Sequence, residues 1–272
     1  MIHTATRGAF LFATLDAPAS RNALSEDMVA GLLEVLDRAE DQPATRAVVL
    51  RGAGGHFCSG GDFSRFRALM ATAAPAGRAD PIATYNRAFG TLLQRLHDAP
   101  VATIAVVEGA AMGGGVGLAV CCDFVLAAGN AQFGMPEASL GLPPAQIAPF
   151  VAARIGEGAA MRLMLTGRRI KAPEAMACGL ADEVHEGDAL GQRLHALLGE
   201  LGRAEPAALR STKAILHARR TRSLPDTLDL AATHFAAALR SGTANEGLTA
   251  LSAKRAASWV VAAPDAPDGT AT

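Results

Sequence analysis

The stretch Val101-Ala102-Thr103-Ile104-Ala105-Val106-Val107-Glu108-Gly109-Ala110-Ala111-Met112-Gly113-Gly114-Gly115-Val116-Gly117-Leu118-Ala119 carries the pattern that decides the fold. Its first seven residues are a short apolar run that starts after Pro100. A continuous run of this length reads as a strand buried on both faces. Glycines then break it, and a short apolar helix follows that reaches Cys122. A glycine-rich turn from strand to helix exposes backbone N–H groups, which suit an anion or a developing oxyanion. Glycines also serve tight turns and close packing, so this segment alone leaves both readings open.

The same alternation extends outward. Phe10–Leu15 is a short apolar run, turned by Asp16-Ala17-Pro18. Ser25 is an N-cap, with Glu26 and Asp27 at the positive end of the helix dipole. Met28, Leu32, Leu33, Leu36 and Ala39 then recur at helical spacing. Arg46–Leu50 reads as a buried strand broken by Gly52, Gly54 and Gly55, Ile82–His97 as a second helix, and Phe124–Ala128 as a further strand. Strands separated by helices need crossover connections, which implies an α/β fold with much parallel pairing. From about residue 190 the pattern is helical, over roughly 189–202, 206–220, 225–240 and 244–259. The expected organisation is an α/β core over 1–189, a helical region over 190–260 and a flexible tail over 261–272. Residues 71–80 are small and featureless and read as a mobile loop, and no internal sequence repeat is found.

Bulk composition narrows the function classes. The chain has 272 residues and a formal net charge of -1, with 25 Lys plus Arg against 26 Asp plus Glu. A chain this long buries roughly 75% of its unfolded surface, so a core forms without disulfide staples. Near-zero charge, one Trp and one Tyr argue against nucleic-acid binding, which favours basic patches and exposed aromatics. Cys58, Cys121, Cys122 and Cys178 show no C-x-x-C spacing and read as small buried thiols, with no metal site. No basic n-region precedes an apolar h-region at Met1, and no apolar run approaches ~18 residues. The expected location is the cytoplasm, with no membrane partner.

Two further segments carry chemistry. His56-Phe57-Cys58-Ser59-Gly60-Gly61-Asp62-Phe63 follows the 46–50 strand and leads into a helix. Gln132-Phe133-Gly134-Met135-Pro136-Glu137-Ala138-Ser139-Leu140-Gly141 sets one carboxylate among apolar and turn residues. Burial there would raise the Glu137 pKa towards the range useful for proton transfer; the other reading is a surface glutamate after a proline. The chain shows neither a G-x-x-x-x-G-K-S/T loop nor a dinucleotide fingerprint on its first strand-helix unit.

Taken together, these segments resemble the crotonase (enoyl-CoA hydratase/isomerase) superfamily. The resemblance begins at Arg21-Asn22-Ala23-Leu24 and runs through Phe57–Asp62, Glu108–Gly115, Cys122-Asp123, Phe133–Glu137 and Leu165-Thr166-Gly167 to Glu246-Gly247-Leu248 and Lys254-Arg255. It implies a repeated ββα spiral with a C-terminal helical trimerisation region, in a homotrimer or dimer of trimers. It also implies an acyl-CoA thioester substrate, with coenzyme A as part of that substrate and no prosthetic group. By position the enolate oxyanion would be held by the N–H groups of Gly61 and Gly114, and Glu137 would be the catalytic acid/base. Contacts to the CoA thioester are implied for Arg21, Ala23, Ser59, Gly61, Asp62, Phe63, Arg65, Gly113, Gly114, Gly117, Pro136 and Lys254. Of these, Arg65 and Arg21 are candidates for CoA counter-charge, and Lys254 for reaching the CoA of a neighbouring subunit.

One departure stands out. Hydratases of this type carry two acidic residues, and the position of the first is Gly117 here. The run Pro136–Phe150 resembles isohexenylglutaconyl-CoA hydratases, and less closely methylglutaconyl-CoA hydratases, whose substrates carry a second carboxylate. The expected reaction is therefore hydration of a branched glutaconyl-type 2-enoyl-CoA with one glutamate. The alternatives are a Δ3,Δ2-enoyl-CoA isomerase using Glu137 as its single base, and a non-catalytic acyl-CoA- or RNA-binding member.

Overall fold

The structure is a computed structural model that describes residues 1–73, 77 and 79–265. Strands β1 (Ile2–Arg7) and β2 (Phe10–Leu15) form a hairpin. Helix α1 (Glu26–Asp41) begins where Ser25 Oγ accepts the Met28 N–H at 3.2 Å, as its N-cap signature requires. Strand β3 (Ala47–Gly52), helices α2 (Phe63–Met70) and α3 (Pro81–Asp98), and strand β4 (Ala102–Val107) follow. Then come β5 (Ala110–Met112), α4 (Gly114–Val120), β6 (Phe124–Ala128) and β7 (Gln132–Gly134). A 3-10 turn spans Glu137–Leu140, and α5 (Ala148–Ile155), α6 (Glu157–Thr166), β8 (Arg169–Lys171), α7 (Ala172–Ala177) and β9 (Glu183–His185) follow it. Four helices end the chain: α8 (Ala189–Arg203), α9 (Pro206–Thr221), α10 (Leu224–Arg240) and α11 (Thr243–Ser252).

The main sheet has six strands in the order β1-β2-β3-β4-β6-β9, parallel throughout except for the β1–β2 pair. Both faces are covered. Leu11, Ala13, Val48 and Leu50 pack with α1, α3 and α4, whereas Phe10, Phe12, Val49, Ile104 and Leu126 pack with Leu190, Leu194 and Leu198 of α8. Burial on both faces is why these strands read as unbroken apolar runs rather than alternating ones.

A second layer winds beside the first. Strands β5 and β7 pair in parallel, and β7 pairs antiparallel with β8. Two isolated parallel bridges, Leu24 to Gly61 and Cys58 to Ala111, continue the layer towards the N-terminus. Each winding leaves the main sheet, adds a short strand or bridge to the second layer and returns by a helix. This is the repeated ββα path expected from the resemblance, and it recurs in backbone course without recurring in residues. The second layer was not legible beforehand because its strands are three residues long, too short to show a period. Strands β1, mostly exposed, and β9, three residues long, likewise show no apolar run in the sequence.

The helical end differs from its expected bounds in detail. Helix α11 stops at Ser252, not near 259, and Lys254 takes a left-handed φ of 51°. Within the segment read as a tail, the Val261 N–H donates to Gly202 O at 3.0 Å and so lies along α8; residues 266–272 lie outside the described residues. The expected 71–80 loop is described only in part, with residues 74–76 and 78 outside the described residues. Among the described residues, no helix is long and apolar enough to cross a membrane.

Candidate active site

Three loops from different windings meet at the second layer, and a fourth segment pins them. The turn before α1 is held by Asn22, whose side chain is fully buried. Asn22 Oδ1 accepts the Ala17 N–H at 2.9 Å, and Nδ2 donates to Ala53 O at 2.9 Å and His56 O at 2.7 Å. Its φ of 61° lies in the left-handed region, which asparagine tolerates better than most residues. Arg21, at φ 53°, is exposed and its carbonyl accepts the Ser59 N–H at 2.9 Å. The Leu24 N–H donates to Gly60 O at 2.8 Å, and Ser59 Oγ donates to Ser20 O at 2.7 Å. The Ala23 N–H is used by Ser20 Oγ at 3.2 Å. Arg21, Ala23 and Ser59 thus lie in one staple that fixes the Gly60-Gly61 loop to the core.

Neighbouring glycines are sorted by their hydrogen bonds. The Gly60 N–H donates to Cys58 Sγ at 3.4 Å, and the Gly113 N–H donates to Gly134 O at 2.8 Å. Burial pushes the Cys58 thiol up to about 12, so it is a neutral acceptor rather than a nucleophile. Among the described residues, the N–H groups of Gly61 and Gly114 have no acceptor. A β-carbon on Gly60 would lie 3.7 Å from the Gly114 nitrogen, so the two loops abut. Unused donors thus fall on the two glycines singled out from sequence, while the glycine beside each is already bonded.

Glu137 opens the 3-10 turn after Pro136 and lies against Gly113. A β-carbon on Gly113 would be 2.7 Å from Glu137 Oε1, and the φ of 50° there is itself strained for any residue with a side chain. Glu137 Oε2 is buried and has no hydrogen-bond partner. Burial raises the Glu137 pKa above the ordinary carboxylate value, opposed by a weaker backbone hydrogen bond. A half-buried carboxyl whose Oε2 has no partner, placed one residue from a free N–H donor, is equipped to take up and return a proton. Pro136 O accepts from both the N–H (3.0 Å) and the hydroxyl (2.6 Å) of Ser139, which holds the turn that presents Glu137.

The space beside Gly117 is closed. A β-carbon there would meet Ile147 Cγ2 at 2.5 Å and Leu93 Cδ1 at 3.3 Å. The second acid is therefore not merely missing from the sequence; aliphatic groups occupy its place. The sequence does not point to Ile147 as the neighbour of Gly117, since the contact spans 30 residues.

Other candidates sit at the margins. Asp62 caps α2, accepting the Ser64 N–H (2.9 Å) and hydroxyl (2.6 Å), and the Ser64 hydroxyl holds its carboxyl below the ordinary range. Arg65 Nε donates to Glu26 Oε1 at 2.6 Å, and its guanidinium lies 5.6 Å from the Tyr85 ring centre. Phe63 is the first residue of α2; its side chain lies outside the described residues. Lys254 is exposed beyond α11, and its backbone N–H donates to Leu251 O at 3.1 Å; no described contact joins it to the three loops within this chain. Away from the loops, His97, Asp98 and His217 bring ligand-type atoms within 4.8 Å of one another. The Arg220 guanidinium bonds the His97 ring there, and burial, with that cation second, lowers the His97 pKa, a setting that disfavours a metal cation.

Comparison with known proteins gives a consistent picture. A family described as enoyl-CoA hydratase/isomerase matches residues 6–261. A putative enoyl-CoA hydratase of Thermus thermophilus is 34% identical over 241 residues, which is 89% of this chain and 93% of that protein. The crystal structure of an enoyl-CoA hydratase/isomerase from Marinobacter aquaeolei superposes with a TM-score of 0.92 at 42% identity, covering 96% of this chain and 99% of that one. Pseudomonas aeruginosa AtuE does so with a TM-score of 0.90 at 44% identity, with the same coverage of 96% and 99%.

Proposed function

The chain belongs to the enoyl-CoA hydratase/isomerase (crotonase) family, an enzyme family of CoA thioesters, and from that premise we propose that it hydrates a branched, glutaconyl-type 2-enoyl-CoA with Glu137 as its only acid/base. The observation that carries this reading is the pairing of the buried, unpartnered Glu137 Oε2 with aliphatic closure of the Gly117 position.

In the proposed cycle the thioester carbonyl accepts from the Gly61 and Gly114 N–H groups. The Glu137 carboxylate takes a proton from water as the water oxygen bonds to C3. The C2–C3 π electrons move into the carbonyl, giving an enolate whose oxygen the two N–H groups stabilise. Glu137, now a carboxylic acid, returns its proton to C2 and regenerates the carboxylate. Atoms balance as one water added across one double bond. Each oxyanion donor of this kind is worth about 10²–10³ in rate. One glutamate must perform both transfers, so the substrate's second carboxylate is assigned the remaining task of orienting the water. Arg21 and Arg65 are proposed to meet the CoA phosphates, Lys254 the CoA of a neighbouring subunit, and Ala23, Ser59, Asp62, Phe63, Gly113 and Pro136 to line the thioester. A homotrimer or dimer of trimers in the cytoplasm is part of the same reading, and the exposed Leu228, Phe235, Leu239 and Leu251 of α10 and α11 supply apolar surface for it.

A second reading draws on one specific feature. Ile147 and Leu93 make the surroundings of Gly117 apolar, which also suits a Δ3,Δ2-isomerase that moves a proton between carbons without water. A turnover panel separates the two. With crotonyl-CoA, 3-methylglutaconyl-CoA, isohexenylglutaconyl-CoA and a 3-enoyl-CoA, the hydratase reading expects a glutaconyl thioester to show the highest kcat/KM, by about tenfold or more over crotonyl-CoA. Highest kcat/KM on the 3-enoyl-CoA overturns it in favour of the isomerase.

A further inference from the structure

The helical region after α8 is held to the core by little apolar packing. Helix α9 has no fully buried side chain, and α10 and α11 bury one each, Thr227 and Ala250. Leu209 of α9 packs against the apolar cluster on the α8 face of the main sheet. Beside it runs a basic row. Arg210, Lys213, His217 and Arg220 recur at helical spacing along one face of α9. Arg210 Nη2 donates to Ala39 O and Gln42 O, both at 3.0 Å, at the C-terminal end of α1. Lys213 Nζ donates to Val101 O at 2.9 Å and pairs with Asp123 Oδ2 at 2.6 Å. His217 and Arg220 meet the end of α3.

That end of α3 is satisfied in one protonation state. In the neutral His97 ring, Nδ1–H donates to Asp98 Oδ1 at 3.0 Å, which leaves Nε2 as the acceptor for the Arg220 guanidinium. A second ring proton, on Nε2, removes that acceptor and sets an imidazolium against a guanidinium. The His217 ring lies 5.0 Å from the His97 ring, centre to centre, and its Nδ1 is 3.6 Å from the same Asp98 Oδ1. One carboxylate is thus shared by two histidines and cannot neutralise both. The other groups packed around the pair do not make up the difference. Lys213 and Arg220 of α9 are themselves cations. At the end of α4, Asp123 is taken by Lys213, and burial keeps the Cys121 thiol neutral. From α5 come the Phe150 ring, 5.5 Å from that of His97, and Arg154, which pairs with Asp182 at 2.7 Å. Burial, then Arg220, lowers the His97 pKa against a smaller pull from Asp98; burial, then Lys213 and His97, lowers that of His217.

We propose that this row is an acid-sensitive clasp: with His97 and His217 neutral it holds α9 on the core, and protonating both releases α9 together with α10 and α11. Both pKa values lie below the ordinary histidine value of 6.5, so the released state binds more protons than the docked one. Docking therefore weakens as pH falls from the ordinary value through the lowered ones. The flanking chain stays attached, because α8 is buried against the sheet and the Val261 N–H donates to Gly202 O at 3.0 Å. Release is thus a local opening and not an unfolding of the core. The exposed Leu228, Phe235, Leu239 and Leu251 move with it, so the clasp makes the placement of that apolar surface depend on pH.

Hydrogen–deuterium exchange of the full-length protein, corrected for the intrinsic pH dependence of exchange, reads the release. Between about pH 7.5 and about pH 5.5, peptides within 206–252 are expected to lose protection by roughly tenfold, while peptides of β2, β3 and β4 change by less than about twofold. The double variant His97→Gln, His217→Gln cannot take up the protons and is expected to flatten the response of 206–252. Arg220→Gln keeps both histidines and removes the cation bonded to His97; it is expected to shrink the drop, and it tests the clasp should the double variant not fold. Unchanged protection of 206–252 in wild type overturns the clasp, as does an equal loss in the core strands. A full drop retained in either variant overturns it too.

Discussion

Glu137→Gln is expected to lower kcat on the preferred enoyl-CoA by about 10²–10⁴, with the Kd for the same thioester changed by less than about threefold. The side chain keeps its size and its place against Gly113 but can no longer take a proton from water or return one to C2. The loss should sit in kcat because the carboxyl acts on developing charge rather than on the CoA. The same variant should be more stable than wild type at neutral pH. Burial raises the Glu137 pKa in the folded state, so between the ordinary carboxylate pKa and the raised one the folded state holds more protons than the unfolded state, and stability falls as pH rises through that window. Gln removes this penalty. The gain in Tm is expected above the raised pKa and should vanish as pH drops below the ordinary carboxylate range. Thermal melts of the two proteins across pH check the sign; a Tm advantage that grows towards acid pH contradicts it.

Asn22→Ala is the largest expected effect on stability. Three backbone groups, Ala17 N–H, Ala53 O and His56 O, lose their partner at a fully buried position. Each orphaned group costs about 1–3 kcal/mol, and alanine at a left-handed φ adds about 1 kcal/mol. Relaxation recovers part of that sum, so a loss of about 3–5 kcal/mol is expected, or roughly 6–15 °C in Tm for a chain of this size. Turnover should fall as well, because the pinned turn holds Ser59 and Gly60 through the Arg21 carbonyl and the Leu24 N–H. A Tm drop below about 2 °C would show that the turn holds itself without Asn22.

What could be read in advance follows from where the information sits. Strands β2, β3, β4 and β6 are continuous apolar runs because both faces are covered, and such runs are visible residue by residue. The short strands β5, β7 and β8 exist only through pairing across windings, and nothing within three residues announces that. Glu137 was legible because a carboxylate among apolar and turn residues is conspicuous. Asn22 stands inside the Arg21–Leu24 motif, but its work as the pin depends on Ala53 and His56 more than 30 residues away, so the only local signal is an asparagine in a tight turn. Gly117 announced a missing acid, but that Ile147 closes the space could not be known from spacing. Gly90 of α3 likewise packs against the Gln146 side chain 56 residues on, a contact that only the folded chain displays.

The central claim is that Gly61 and Gly114 aim two unused N–H donors at the thioester oxygen beside Glu137. It is tested most directly by the carbonyl stretch of a carbonyl-¹³C-labelled enoyl-CoA, read by infrared difference spectroscopy while bound to Glu137→Gln, which keeps the thioester intact. Two donors in a site sheltered from water polarise the C=O bond more than water does, so the band is predicted to fall to lower frequency than in solution. A bound band at or above the solution frequency would contradict the oxyanion hole and the mechanism built on it.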